Sequence, residues 1–150
     1  ISRSDWSSDV CLPICLRYSG HNDFSALQPE YLKPGKGIRW QKPVIVLTNR
    51  SVFSAANEFV KYMKCCPNVI VVGDRTGGGA GMPFSSELPN GWSVRFSACP
   101  MYDRDKQMTE FGIDPDYKVS LTSDDFARGK DTIIEFARKM IKTFPKPQSL

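Results

Sequence analysis

Two apolar runs, at residues 44–48 and 69–72, flank an amphipathic stretch, and a run of glycines follows the second. No other feature constrains the fold so much. Val44, Ile45, Val46 and Leu47 form a run without polar alternation, the pattern of a buried parallel strand. Ala55, Phe59 and Met63, with Ala56 and Val60 beside them, recur at helical spacing and predict a helix with one apolar face. That helix should stop before Pro67. Val69, Ile70, Val71 and Val72 predict a second buried strand. Strand, helix and strand in this order make a β-α-β unit, with a right-handed crossover expected. The fold class is therefore α/β.

The remainder is less regular. Residues 1–42 mix Ser, Asp, Pro and Gly around short apolar pieces and read as an irregular arm with one short strand or helix. Pro34, Gly35, Lys36 and Gly37 mark a turn in it. After the glycines, residues 84–88 and 92–99 are strand candidates joined by Pro89, Asn90 and Gly91, and Asn-Gly between such runs signals a hairpin. Ser93, Arg95 and Ser97 alternate with Trp92, Val94, Phe96 and Ala98, as in a half-buried strand. Residues 124–142 read as a terminal helix striped by Ile133, Ile134, Phe136, Ala137, Met140 and Ile141. The chain of 150 residues is long enough to bury one core.

Charge and cysteine usage narrow the partners. The net charge is +4, with the basic residues scattered among acids, so no nucleic-acid footprint is seen. No apolar run approaches the ~20 residues of a membrane span. The five cysteines cannot pair completely. Cys11 and Cys15 resemble a pair of metal ligands, but no second cluster completes a site, so neither metal nor other cofactor is expected.

Ser54 is the first candidate for chemistry. A hydroxyl at a helix start can act as a nucleophile, with the next backbone N–H, that of Ala55, facing the oxyanion. It can equally be an ordinary N-cap, although the capping box is imperfect because Asn57, not Glu or Gln, stands three residues on. Gly77, Gly78, Gly79 and Gly81 can cradle an anion or a peptide backbone, or simply form a flexible loop. They make neither a Walker loop nor a dinucleotide fingerprint. Glu110 and Asp116 bracket a turn containing Gly112 and Pro115, and a carboxylate there can orient a catalytic base or solvate the turn. His21 is the sole histidine and lies in the irregular arm, where a surface role is expected.

Three motifs together resemble the carboxy-terminal processing (tail-specific) family of serine proteases. They are the apolar strand with residues 49–58 after it, the segment 71–79 with its glycines, and Gly112, Ile113, Asp114, Pro115 and Asp116. The resemblance spans about residues 43–120. It implies a ClpP/crotonase-like core and peptide-bond hydrolysis through an acyl-enzyme, with Ser54 as nucleophile and the Ala55 N–H as oxyanion donor. Gly77, Gly78 and Gly79 would line the substrate groove. Members with a Ser-Lys dyad carry the base lysine at the position that Gly79 occupies here. The sequence is thus more similar to the branch containing the tricorn core and the interphotoreceptor retinoid-binding repeats. In the tricorn type a histidine base comes from an N-terminal segment, and Glu110 best matches the glutamate that orients the machinery.

The family's upstream oxyanion motif has no counterpart before residue 43. The expectation is a C-terminal portion of a larger catalytic domain, with residues 43–150 belonging to the peptidase core and 1–42 to an arm. The base and further polypeptide are expected upstream, and the isolated chain is expected to be inactive or nearly so. The implied substrate is a peptide or protein, and the implied location is extracytoplasmic. A non-catalytic ligand- or peptide-binding module of the same fold is the competing reading. A thioester-binding crotonase-like enzyme has less support, since no motif for coenzyme A is visible.

Overall fold

The structure, a computed structural model, describes residues 42–144 and, before them, residues 11–14, 26, 28–31, 36, 37 and 40, with only the backbone given for 11–14 and 28–31. His21, Cys15 and, in the turn at 34–37, Pro34 and Gly35 lie outside the described residues. Two strands in the arm, β1 (Cys11–Ile14) and β2 (Gln28–Tyr31), pair antiparallel. The arm thus contains a strand pair where a single short element was expected. Pro13 stands opposite Pro29 in this ladder. Proline removes a ladder donor and argues against a strand in any sequence reading, which is why the pair was not legible.

The centre follows the expected order: β3 (Val44–Thr48), α1 (Ala55–Lys64) and β4 (Val69–Gly73). β3 and β4 are parallel neighbours, in register from Val44 opposite Val69 to Thr48 opposite Gly73. The next two strands, β5 (Pro83–Glu87) and β6 (Ser93–Ser97), make the predicted hairpin. In its turn Gly91 N–H donates to Leu88 O at 2.8 Å, and Trp92 N–H donates to Asn90 Oδ1 at 3.1 Å. A two-residue strand, β7 (Tyr117–Lys118), pairs in parallel with the other edge of β4, giving the sheet order β3-β4-β7. Two helices close the described chain, α2 (Ser123–Ala127) and α3 (Thr132–Thr143).

Helices cover both sheet faces. Val46 and Val71 are register partners and share one face, where they pack with Val60 of α1 and with Ile113. Burial of each such side chain contributes about 1.5–3 kcal/mol. Alternation turns Val72 to the opposite face. Its partner Tyr117 touches Phe136 of α3, with ring centroids 6.2 Å apart, so α3 covers that second face and buries Ile133 and Ala137 there.

Two expectations are corrected. The terminal helix predicted over 124–142 is divided into α2 and α3 at Arg128, Gly129 and Lys130. Asp131 starts the new helix by accepting from the N–H groups of Ile133 and Ile134, and Thr122 caps α2 by accepting from Asp125 N–H. The Thr132 hydroxyl bonds Asp125 across the break and holds its carboxyl below the usual carboxylate range. That contribution is fully present above the usual range and is lost as pH falls below it through the lowered folded-state value.

The second correction concerns α1. Of its expected apolar face, Val60 is buried and Met63 half-buried, but the rest is not. Asn57, Val60 and Lys61 are buried, whereas Ala55, Ala56 and Phe59 are exposed, Phe59 to 55%. Lys61 is satisfied by an ion pair with Glu58, and Asn57 by a buried hydrogen-bond network. These polar anchors decide which side of the helix faces the sheet.

Candidate active site

The turn between β3 and α1 sets the conformation of Ser54. Its backbone stands at φ 56° and ψ −122°, a region that residues other than glycine occupy only when their surroundings force them. The forcing contacts are visible. Ser54 N–H donates to Gly78 O at 2.8 Å, and Phe53 forms a parallel bridge with Gly78. Val52 O accepts from Gly77 N–H at 2.8 Å. The turn is clamped along the glycine loop before the helix begins.

Although Ser54 occupies the N-cap position, its side chain makes no capping hydrogen bond. The ordinary-cap reading therefore fails on geometry. Ser54 is half-buried, and Ala55 and Ala56 after it are exposed and small. Ala55 begins α1, so its N–H lacks a preceding helical carbonyl and lies at the positive end of the helix. A hydroxyl and an unsatisfied first-turn amide thus occupy consecutive positions.

The glycine loop joins this turn to Glu110. Gly79 N–H donates to Glu110 O at 2.9 Å, directly after the residue that binds Ser54. Gly78 has φ 77°, and a Cβ on it would lie 2.0 Å from Glu110 O. At Gly79, with φ 72°, a Cβ would lie 2.1 Å from the Phe53 ring. Backbone therefore blocks a side chain at Gly78, whereas one at Gly79 would need the exposed Phe53 ring to move and would sit in a left-handed conformation.

The Glu110 side chain is also held. Ser97 Oγ lies 2.8 Å from Glu110 Oε1. Asp116, the other carboxylate considered, is tied to the sheet instead. It accepts from Val71 N–H at 2.7 Å, donates its own N–H to Val71 O and pairs with Lys64 at 3.1 Å. The structure brings Ser54, Ala55, Gly77, Gly78, Gly79 and Glu110 into one connected assembly and places Asp116 outside it. His21 lies beyond the described residues.

A buried polar knot braces this assembly. Asn57 Nδ2 donates to Thr109 O at 3.2 Å, Thr76 Oγ1 donates to Asn57 Oδ1 at 2.6 Å, and Ile113 N–H donates to Thr76 Oγ1 at 2.6 Å. It links the first turn of α1, the loop and the Glu110 turn, with Asn57, Thr76 and Thr109 all within 1% of full burial. Asn57 and Thr76 carried no sequence signal beyond being polar, because their partners are distant in the chain. Asn57→Ala should remove two buried hydrogen bonds, leaving the Thr76 hydroxyl without its acceptor while Thr109 O keeps the N–H of Gly112, and cost about 1–3 kcal/mol, read as a lower urea midpoint at unchanged slope.

Other nucleophiles compete poorly. Burial pushes the thiols of Cys65 and Cys66 up, against the opposing charge of Arg104 at Cys65, so both stay protonated at neutral pH. A cleft of about 240 Å³ opens near the C-terminal end of α1, lined by Lys61, Lys64, Cys65, Arg104 and Asp116 among others, and includes neither Ser54 nor Glu110.

The family model for peptidase family S41 matches residues 16–119, well over half the chain. A crystal structure of a candidate peptidase from Parabacteroides merdae is 52% identical, covers 95% of this chain and 46% of its own, and superposes with a TM-score of 0.84. Mature CPAF, solved in complex with lactacystin, shares the fold at 23% identity and a TM-score of 0.68, over 80% of this chain and 24% of its own. An uncharacterised protein of Chlamydia muridarum is 26% identical over 117 residues, which are 75% of this chain and 20% of that protein. The chain spans under half the length of that solved relative and about a fifth of the curated one. It belongs to peptidase family S41.

Proposed function

We propose that the chain carries the nucleophile-bearing part of a serine peptidase with a ClpP/crotonase-like core, hydrolysing peptide bonds through an acyl-enzyme on Ser54. The observation that carries this reading is the strained Ser54 backbone with its hydroxyl released from capping. Strain of this kind concentrates at functional sites, and a strained strand-to-helix turn is how other hydrolases expose a nucleophilic serine. Ser54 Oγ attacks the scissile carbonyl carbon and its proton passes to a base. The Ala55 N–H meets the oxyanion, the amine leaves with a proton, and water hydrolyses the ester.

Glu110 orients the base, and the backbone of Gly77, Gly78 and Gly79 lines the path of an extended peptide or protein substrate. The base comes from polypeptide outside these residues. Support lies in position 79, where glycine in a left-handed conformation stands in place of the dyad lysine. That further polypeptide would cover Phe59, Phe84 and Phe96, which the described residues leave more than half exposed. In this division residues 43–150 belong to the peptidase core, 1–42 to an arm, and the protein works outside the cytoplasm. No helix of the described residues is long and apolar enough to cross a membrane.

Treatment of the full-length protein with a fluorophosphonate is expected to label the wild type and not Ser54→Ala. A folded wild type that takes no label overturns the peptidase reading. It favours the second one, a non-catalytic peptide- or ligand-binding module, which the missing lysine at Gly79 supports.

A further inference from the structure

The β5–β6 hairpin leaves the glycine loop at Gly81 and returns beside it. Ala98 and Cys99 both donate their N–H groups to Gly81 O, at 2.9 and 3.0 Å, pinning the base of the ribbon. The register puts Ser97 opposite Pro83, on the ribbon face that also carries Ser85 and Arg95, while Phe84 and Phe96 pair on the other face. Ser97 is the residue of this polar face that reaches the candidate site. Its hydroxyl lies 2.8 Å from Glu110 Oε1 and 3.1 Å from Ala80 O. Gly81 keeps the space open, since a Cβ there would lie 2.9 Å from Ser97 Cβ and 3.2 Å from Glu110 Oε2.

A serine hydroxyl has one proton to donate. The carboxylate is the nearer and the charged acceptor, and charge-assisted bonds are the stronger ones. Glu110 is therefore gripped twice, at its backbone carbonyl by Gly79 N–H and at its carboxylate by Ser97.

We infer that Ser97 is a positioning residue, which fixes the Glu110 carboxylate relative to the Ser54 turn by donating to Oε1. The inference rests on the peptidase reading, in which Glu110 orients the base. The Ser97 hydroxyl bonds Glu110 and Ala80 O rather than Ser54, so it acts through Glu110. Its hydroxyl matters and its size does not, so threonine should replace it and alanine should not. Because Ser97 is exposed, water can partly substitute for the lost donor and the effect stays moderate.

The test compares Ser97→Ala and Ser97→Thr in the full-length protein, with peptide hydrolysis, fluorophosphonate labelling and a crystal structure of the alanine variant. Ser97→Ala should lower kcat by about tenfold with KM within about twofold, while Ser97→Thr stays within about threefold of the wild type. Melting temperatures should coincide. Wild-type kcat in the alanine variant overturns the inference, and so does an equal loss in both variants. If the wild type takes no label the peptidase reading falls by itself. The crystal structure separates the two outcomes, because a Glu110 carboxylate that keeps its place without the Ser97 hydroxyl overturns the positioning role however the labelling turns out.

Discussion

Ser54→Gly is expected to give a protein more stable than Ser54→Ala, and both are expected to be inert. The physical reason is the conformation at φ 56° and ψ −122°. Alanine keeps a Cβ in that region, whereas glycine occupies it without steric cost, so the two variants should differ by about 1 kcal/mol in favour of glycine. Neither retains the oxygen that forms the acyl bond in the proposed mechanism. Loss of an activated serine lowers kcat by about a million-fold where it has been dissected, and fluorophosphonate labelling should vanish in both. Urea denaturation of the two full-length variants measures the first effect. Equal midpoints would show that Ser54 is not strained, and residual labelling in either variant would place the nucleophile elsewhere.

Gly78→Ala is expected to have the largest effect on stability. Its Cβ would stand 2.0 Å from Glu110 O and 2.6 Å from Gly112 N, both backbone atoms that cannot swing aside. The left-handed conformation at φ 77° adds strain for any L side chain. Together these should cost about 3 kcal/mol or more. Gly78 O also accepts the Ser54 N–H. Displacing the loop therefore disturbs the Ser54 turn, and on the peptidase reading activity should fall further than the folded fraction does. A variant within about 1 kcal/mol of the wild type, by urea midpoint, would mean that loop and Glu110 turn are not packed as described.

These predictions depend on contacts that sequence reading reached unevenly. β3, β4, α1 and the hairpin at Asn90 and Gly91 were legible because each is announced by local periodicity or turn chemistry. β7 was not, since two residues carry no period. The break between α2 and α3 was hidden by an apolar stripe that favoured one long helix. Asp131 overrode it by capping the second helix with its own side chain. At the candidate site, Ser54 was legible as a hydroxyl at a helix start. Whether that hydroxyl serves as a cap was not, because the answer lies in the loop bonded to its backbone.

The face of α1 shows the same limit. Spacing alone selects Ala55, Phe59 and Met63 as the side that should be buried, yet Asn57 and Lys61 turn inward. The hydrogen bonds from Asn57 to Thr76 and Thr109 and the ion pair of Lys61 with Glu58 hold that orientation. The partners of Asn57 lie 19 and 52 residues away. No periodicity encodes such distances.

By itself the sequence determined the β-α-β core, the hairpin and the coincidence of a serine with a glycine loop, because those are properties of neighbouring residues. Only the tertiary structure decided that Ser54 is strained and uncapped, that the backbone of Glu110 is bonded to the glycine loop, and that Ser97 grips the Glu110 carboxylate. Each of those outcomes depends on which distant backbone groups are brought within hydrogen-bond reach, and folding alone sets that.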